Sequence, residues 1–167
     1  MKAIKLLAVI YLCILSTSIY SQDKTKEVEK YFTVFLNKNG NDLYEVFLQH
    51  QPQLNDCRAL FKKEYYQQMY QDLNAGFVGL SKQIDIQNNR FKNKTACRAR
   101  PFKTDDVING TCTECPGIMK RMEMEKKLKP GIVCYTIQFL DTSNSEYGSS
   151  YSFFTFINGH WIYIPTN

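Results

Sequence analysis

Apolar residues recur at helical spacing near the start of the polar part of the chain: Val28, Tyr31, Phe32, Phe35 and Leu36 are interleaved with Glu27, Glu29 and Lys30. That spacing predicts an amphipathic helix over Lys24 to Asn37, ended by Gly40. Asn41 is placed to N-cap a second, shorter helix through Leu43, Val46, Phe47 and Leu48 that stops before Pro52. A third helix is expected over Cys57 to Leu73, where Leu60, Phe61, Tyr65, Met69, Tyr70 and Leu73 make one broad apolar face.

From Gly76 to Gly131 the periodicity weakens. The run Ile84-Asp85-Ile86-Gln87 reads as a short strand, the stretch from Asn88 to Gly110 as polar and turn-rich, and Gly117 to Lys129 as a short helix before Pro130. Met119, Met122 and Met124 form a stripe there, and methionine at such spacing is adaptable packing rather than a metal box.

The C-terminal pattern is the most legible. Ile132 to Leu140 and Ser150 to Ile157 are rich in β-branched and aromatic residues, and His160 to Ile164 follows across Asn158-Gly159, the strongest short-range hairpin signal. Three antiparallel strands in meander order follow. A two-residue turn pairs Ile157 with His160, Phe156 with Trp161, Thr155 with Ile162 and Phe154 with Tyr163. Side chains alternate across a sheet, so Phe154, Phe156, Trp161 and Tyr163 share one face, and Phe153, Thr155, Ile157, Ile162 and Ile164 the other. Both faces are apolar. Helices are therefore expected over one, with a second subunit, the irregular middle segment or a ligand over the other.

The first residues are of another kind. Lys2 and Lys5, the apolar run Leu6 to Leu15 and the small polar residues Ser16 to Ser21 have the order of a secretory leader. The run is too short for a stable membrane anchor, which takes about 20 apolar residues. Cleavage after Ser18 or Ser21 leaves a protein starting near Gln22, secreted or periplasmic, and no small-residue pair precedes Cys13 as lipidation would ask. With no repeat or linker in sight, residues 22–167 are expected to form a single α+β domain, with N-terminal helices on a curved antiparallel sheet that ends in a C-terminal hairpin.

Helices first, then an antiparallel sheet closing on Tyr151-Ser152-Phe153-Phe154-Thr155-Phe156-Ile157-Asn158-Gly159-His160-Trp161-Ile162-Tyr163-Ile164-Pro165, resembles the nuclear transport factor 2-like, or cystatin-like, fold. The likeness lies in that stretch and in the helix near Lys24 to Asn37, under half of the chain. It implies helices packed into the concave side of a bent sheet, a cone whose mouth takes a small molecule, and an outer sheet face that dimerises. Family enzymes place an Asp or His inside the cone, and no position here matches one residue by residue. The cysteine-bearing segment from Cys97 to Cys115 departs from the common pattern.

Composition narrows the chemistry. The formal charge of +5 is mild and partly carried by the leader lysines. Arg90, Lys92, Lys94, Arg98, Arg100 and Lys103 crowd one stretch, but with only Phe91 and Phe102 among them and no recognition motif they read as a solvated basic loop, not a nucleic-acid site. Of six cysteines, Cys57, Cys97, Cys112, Cys115 and Cys134 survive leader removal. An exported chain favours two disulfides and one leftover thiol, of open connectivity. The Cys112-Thr113-Glu114-Cys115-Pro116 motif is half of a zinc signature and lacks the strand expected before a redox motif, so it is read as a disulfide anchor for the middle segment. Asn93-Lys94-Thr95 and Asn109-Gly110-Thr111 fit the glycosylation acceptor pattern.

His160 reads as a polar strand-end residue, and no carboxylate or nucleophile stands at a recognisable spacing from either histidine. Asp105, Asp106, Glu123 and Glu125 read as solvated acids. No phosphate loop, nucleophile elbow, metal set or cofactor motif occurs. The expectation is an exported, non-enzymatic binding domain that presents Phe154, Phe156, Trp161 and Tyr163 to an unknown protein or a small apolar ligand, with a homodimer through the sheet as one arrangement. One variant of it is an inhibitor or immunity-type protein against a secreted toxin. The rival is an isomerase- or cyclase-type enzyme using the cone, for which Tyr135, Tyr151, Tyr163 and Asp85 are the available titratable groups.

Overall fold

The computed structural model describes residues 24–117, 119 and 123–165. The leader reading, Cys13 and Met122 lie outside these residues. Helix α1 covers residues 24–32 and tightens into a 3-10 turn at Thr33–Phe35, as the apolar spacing requires. Helix α2 (Gly40–Leu48) starts sooner than expected: Asn39, not Asn41, holds the cap position. Gly40 opens the helix because it takes a left-handed φ of 51° and its N–H already has a partner, Asn88 Oδ1 at 2.6 Å.

The single helix expected over Cys57 to Leu73 is two, α3 (Leu54–Leu60) and α4 (Tyr66–Lys82). Phe61 turns extended and bridges to Leu128, and Lys62 N donates to Lys127 O at 2.9 Å. A long-range backbone pairing therefore interrupts a local pattern that would have run through. Residues Ile84–Phe91 form α5, not a strand. Gln87 and Phe91, four apart, share its buried face, a helical spacing that the two isoleucines mask.

The sheet has four strands in the order β1-β2-β3-β4, all antiparallel: β1 (Ala96–Lys103), β2 (Val133–Leu140), β3 (Gly148–Ile157) and β4 (His160–Tyr163). Strand β1 falls in the stretch read as turns. It is an edge strand, where Pro101 and a polar outer face are tolerated. The short helices α6 (Thr104–Ile108) and α7 (Met124–Lys127) lie between β1 and β2.

The hairpin register is as derived: Phe154 opposite Tyr163, Thr155 opposite Ile162, Phe156 opposite Trp161 and Ile157 opposite His160. Asn158 and Gly159 both have positive φ, 51° and 85°, the geometry that makes Asn-Gly the preferred tight turn. The register between β2 and β3 shifts by one between Tyr135 and Ile137, so Tyr151 and Phe154, three residues apart, both reach the same core.

Each face of the sheet is covered. On one, Phe154, Tyr151, Tyr163, Ile137 and Phe139 pack under Phe32, Phe35, Phe47, Phe77 and Phe91 of the helices. On the other, Phe153, Ile162 and Ile164 pack against Cys57 and Leu60 of α3, Met69 and Leu73 of α4, and Phe102, Val107, Met119, Met124 and Leu128. The irregular middle segment, joined by α3 and half of α4, thus fills the place left open for it, a second subunit or a ligand.

Candidate functional site

Where α1 passes over the turn-proximal end of the sheet, the core does not close. Val28 and Tyr31 of α1, Ile132, Val133 and Tyr135 of β2 and its approach, and Phe156, Ile157 and Trp161 of the hairpin line a groove of about 610 Å³, with Lys24 and Glu27 at its rim. Phe156 is 56 % exposed, and Tyr31 and Val133 are each 44 % exposed. Trp161 is the hub: Tyr31 stacks on it at 5.7 Å, while Phe156 and Tyr135 meet it edge to face at 5.5 Å. Such aromatic surface in an open concavity is the setting in which apolar ligands and protein anchors are held.

The aromatic face expected from the sequence therefore splits. Phe156 and Trp161 reach the groove. Phe154 and Tyr163 do not: they stack on each other at 4.7 Å inside the core, with Phe154 also 4.5 Å from Phe32, so their assignment to a ligand face is corrected. The register places all four on one side of the sheet, and depth along the strand decides which are covered. Tyr31 is the groove residue that sequence reasoning missed. It lies on the apolar stripe of α1 and is indistinguishable by spacing from the buried Phe32 and Phe35.

Tyr31 is tied to a second missed residue, His50. The His50 ring is fully buried, with Nδ1 2.6 Å from Val46 O and Nε2 3.1 Å from the Tyr31 hydroxyl. A carbonyl only accepts, so Nδ1 carries the hydrogen and Nε2 accepts from Tyr31. Burial holds the His50 pKa below its ordinary value, against the Val46 bond and with help from the charge of His160.

A polar cluster occupies the hairpin turn itself, on the other face of the sheet. Asp56, buried in the first turn of α3, accepts from the N–H of Gln53 at 2.8 Å and from Asn158 Nδ2 at 2.8 Å, and its Oδ2 lies 3.2 Å from His160 Nε2. A carboxylate thus does meet His160, from more than a hundred residues away in sequence, where no spacing rule could find it. Gln53, Asn55, Arg58, Ala59 and Asn158 surround the pair and bring no hydroxyl or thiol nucleophile, and each Asp56 oxygen is already engaged in holding the turn.

The titratable groups weighed for an enzyme are placed as follows. Asp85 is exposed on α5 and does not enter the interior, which corrects its candidacy as a buried acid. The Tyr151 hydroxyl donates to Gln87 at 2.7 Å, and burial pushes its pKa up to about 12; burial raises Tyr163 and Tyr135 as well. All three stay neutral phenols at physiological pH.

Cys112 and Cys115 are joined in a disulfide within the middle segment. Cys57, Cys97 and Cys134 are free thiols, so the two bridges expected become one. Burial pushes Cys57 and Cys134 up to about 12 and Cys97 up to about 11, which keeps all three protonated. Cys97 Sγ donates to Glu29 O at 2.8 Å and Ala99 N to Glu29 Oε1 at 3.0 Å, so α1 is fastened along the outer edge of β1. Among the described residues no group of three or more His, Cys, Asp or Glu side chains is placed to hold a metal ion.

In the basic stretch, Lys94 pairs with Asp141 at 2.8 Å, Arg100 with Glu114 at 3.3 Å, and Arg98 donates to Ser145 O. Asn93 and Asn109 are both exposed. No described helix is long and apolar enough to cross a membrane. Compared with family models, curated proteins and solved structures, the chain matches none.

Proposed function

We propose that this chain is an exported, non-enzymatic binding domain whose partner seats an apolar group in the groove between α1 and the β3–β4 hairpin. One observation carries the reading: the interior under the helices is filled by Phe32, Phe35, Phe47, Phe77, Phe91, Phe139 and Phe154, while Phe156, at the same sheet level as Trp161, is left more than half exposed. A large aromatic that folding could have buried, held open beside other aromatics, supports recognition more than packing. The cone-enzyme alternative draws less support, because Tyr151 and His50 are already committed to Gln87, Tyr31 and Val46. Export is supported by the leader pattern and agrees with a disulfide in the chain.

The test is a titration with N-phenyl-1-naphthylamine, a neutral apolar fluorophore, against the wild-type chain and Phe156→Ser. Saturable binding that weakens in Phe156→Ser, with unfolding midpoints unchanged, is the expected result. Absence of binding, or equal binding by both proteins, would overturn the reading. Concentration-dependent oligomerisation that Phe156→Ser abolishes would instead make a second copy of the chain the occupant.

A further inference from the structure

The Cys112–Cys115 bridge joins residues three positions apart, so it fastens its segment to neither the sheet nor a neighbouring helix. A ring that small takes little conformational freedom from the unfolded chain, and the bond stabilises the fold less than a longer-range bridge would. The turn it sits in is held without it: Thr111 N and Cys112 N both donate to Asp106 O, at 2.9 and 3.1 Å, and Gly110 N donates to Val107 O at 3.2 Å. Stapling the segment is therefore an incomplete reason for these two cysteines.

Both are only half-buried, unlike Cys57 and Cys134 in the adjoining core. Together with Val107, Ile108, Pro116 and Met119 they line a groove of about 460 Å³. The S–S bond thus forms part of the wall of an apolar concavity, where a thiol carried on an extended segment can reach it. We propose that Cys112–Cys115 is a disulfide-exchange site for a partner protein that presents a pair of cysteines flanked by apolar residues. It shares no lining residue with the groove under α1 and is independent of what that groove binds.

The exchange balances without a further oxidant. A thiolate of the partner attacks one sulfur of the bridge; the mixed disulfide forms as the Cys112–Cys115 bond breaks, and the other cysteine leaves as a thiolate. The partner's second thiolate then attacks the mixed disulfide and releases the first cysteine. Two electrons and two protons pass from the partner's dithiol, which ends as a disulfide, to Cys112 and Cys115, which end as thiols. Glu125 is the one ionisable side chain among the described residues lining the groove and is too weak a base to deprotonate a thiol, so the partner supplies the thiolate. The free cysteines of the core do not compete: burial holds Cys57 and Cys134 protonated, so neither opens the bridge from within.

The experiment mixes the oxidised native protein, expressed from Gln22 onward, with a reduced two-cysteine peptide at about pH 8, where free thiols are partly ionised. One peptide carries leucines beside its cysteines and a second carries glycines. Samples are quenched with acid, alkylated and read by mass, and far-ultraviolet circular dichroism follows the fold. The expected result is peptide disulfide formed one for one with two new thiols, mapped to Cys112 and Cys115, while the fold persists and Cys57 and Cys134 stay unlabelled. The leucine peptide should react about tenfold faster than the glycine peptide, the discrimination that seating a small apolar group gives. A bridge that opens only in denaturant, an opening that unfolds the chain, or equal rates for the two peptides would overturn the proposal. No fluorophore is used, so a groove under α1 that bound nothing would fail its own test and leave this result standing.

Discussion

Asp56 Oδ1 accepts a hydrogen bond from Asn158 Nδ2 at 2.8 Å, joining the first turn of α3 to the tight turn of the C-terminal hairpin across 102 residues of sequence. The other oxygen caps Gln53 N–H and meets His160, so one buried carboxylate serves a helix start and a hairpin turn together. Replacing it leaves the N–H of Gln53 and the amide of Asn158 without their acceptor. Asp56→Ala should cost about 3 kcal/mol, summing the loss of a cap with that of charge-assisted hydrogen bonds. Urea unfolding checks this, and a loss below about 1 kcal/mol would mean that the turn needs no such clip.

Phe154 and Phe156 sit two residues apart on one strand and face, yet one is buried and the other open to solvent. Phe154→Ala should lose about 3 to 5 kcal/mol, the usual cost of an aromatic deletion in a core. Phe156→Ala should change stability by under about 1 kcal/mol and act on binding instead. Thermal unfolding of the two variants side by side separates the roles.

Stability should also depend on pH through His50. Its folded pKa lies below the unfolded value, so between the two the unfolded chain binds more protons and stability rises with pH. The contribution is fully present above the unfolded histidine value of about 6.5 and is lost as pH falls through the folded one. Denaturant midpoints against pH should show this slope in wild type and a flatter one in His50→Gln.

The cysteines give a chemical check. With one bridge and three buried or half-buried thiols, alkylation of the native protein expressed from Gln22 onward should label Cys97 slowly and leave Cys57 and Cys134 untouched, with all three modified after denaturation without reductant. Intact mass reads each state.

What the sequence discloses here follows the range of the interactions. The hairpin is legible because Asn158-Gly159 fixes turn type and register at once, and alternation then assigns every side chain to a face. Helices α1 and α2 are legible from apolar spacing, apart from where α2 begins. The break between α3 and α4 is not, since Phe61 leaves the helix to pair with Leu128, far away in sequence. Strand β1 is hidden because an edge strand can carry Arg98, Arg100, Pro101 and Lys103 and still be paired along its inner side. The groove was half legible: Phe156 and Trp161 follow from register, whereas Tyr31 and His50 enter only through packing between α1, α2 and the sheet.

The measurement that bears most directly on the binding reading is an aromatic NMR titration of residues 22–167 with N-phenyl-1-naphthylamine. Shifts concentrated on Trp161, Phe156, Tyr31 and Tyr135 are the predicted result. Shifts centred instead on Val107, Ile108 and Met119 beside the disulfide, or on His160 and the Asp56 cluster, would place binding elsewhere and contradict it.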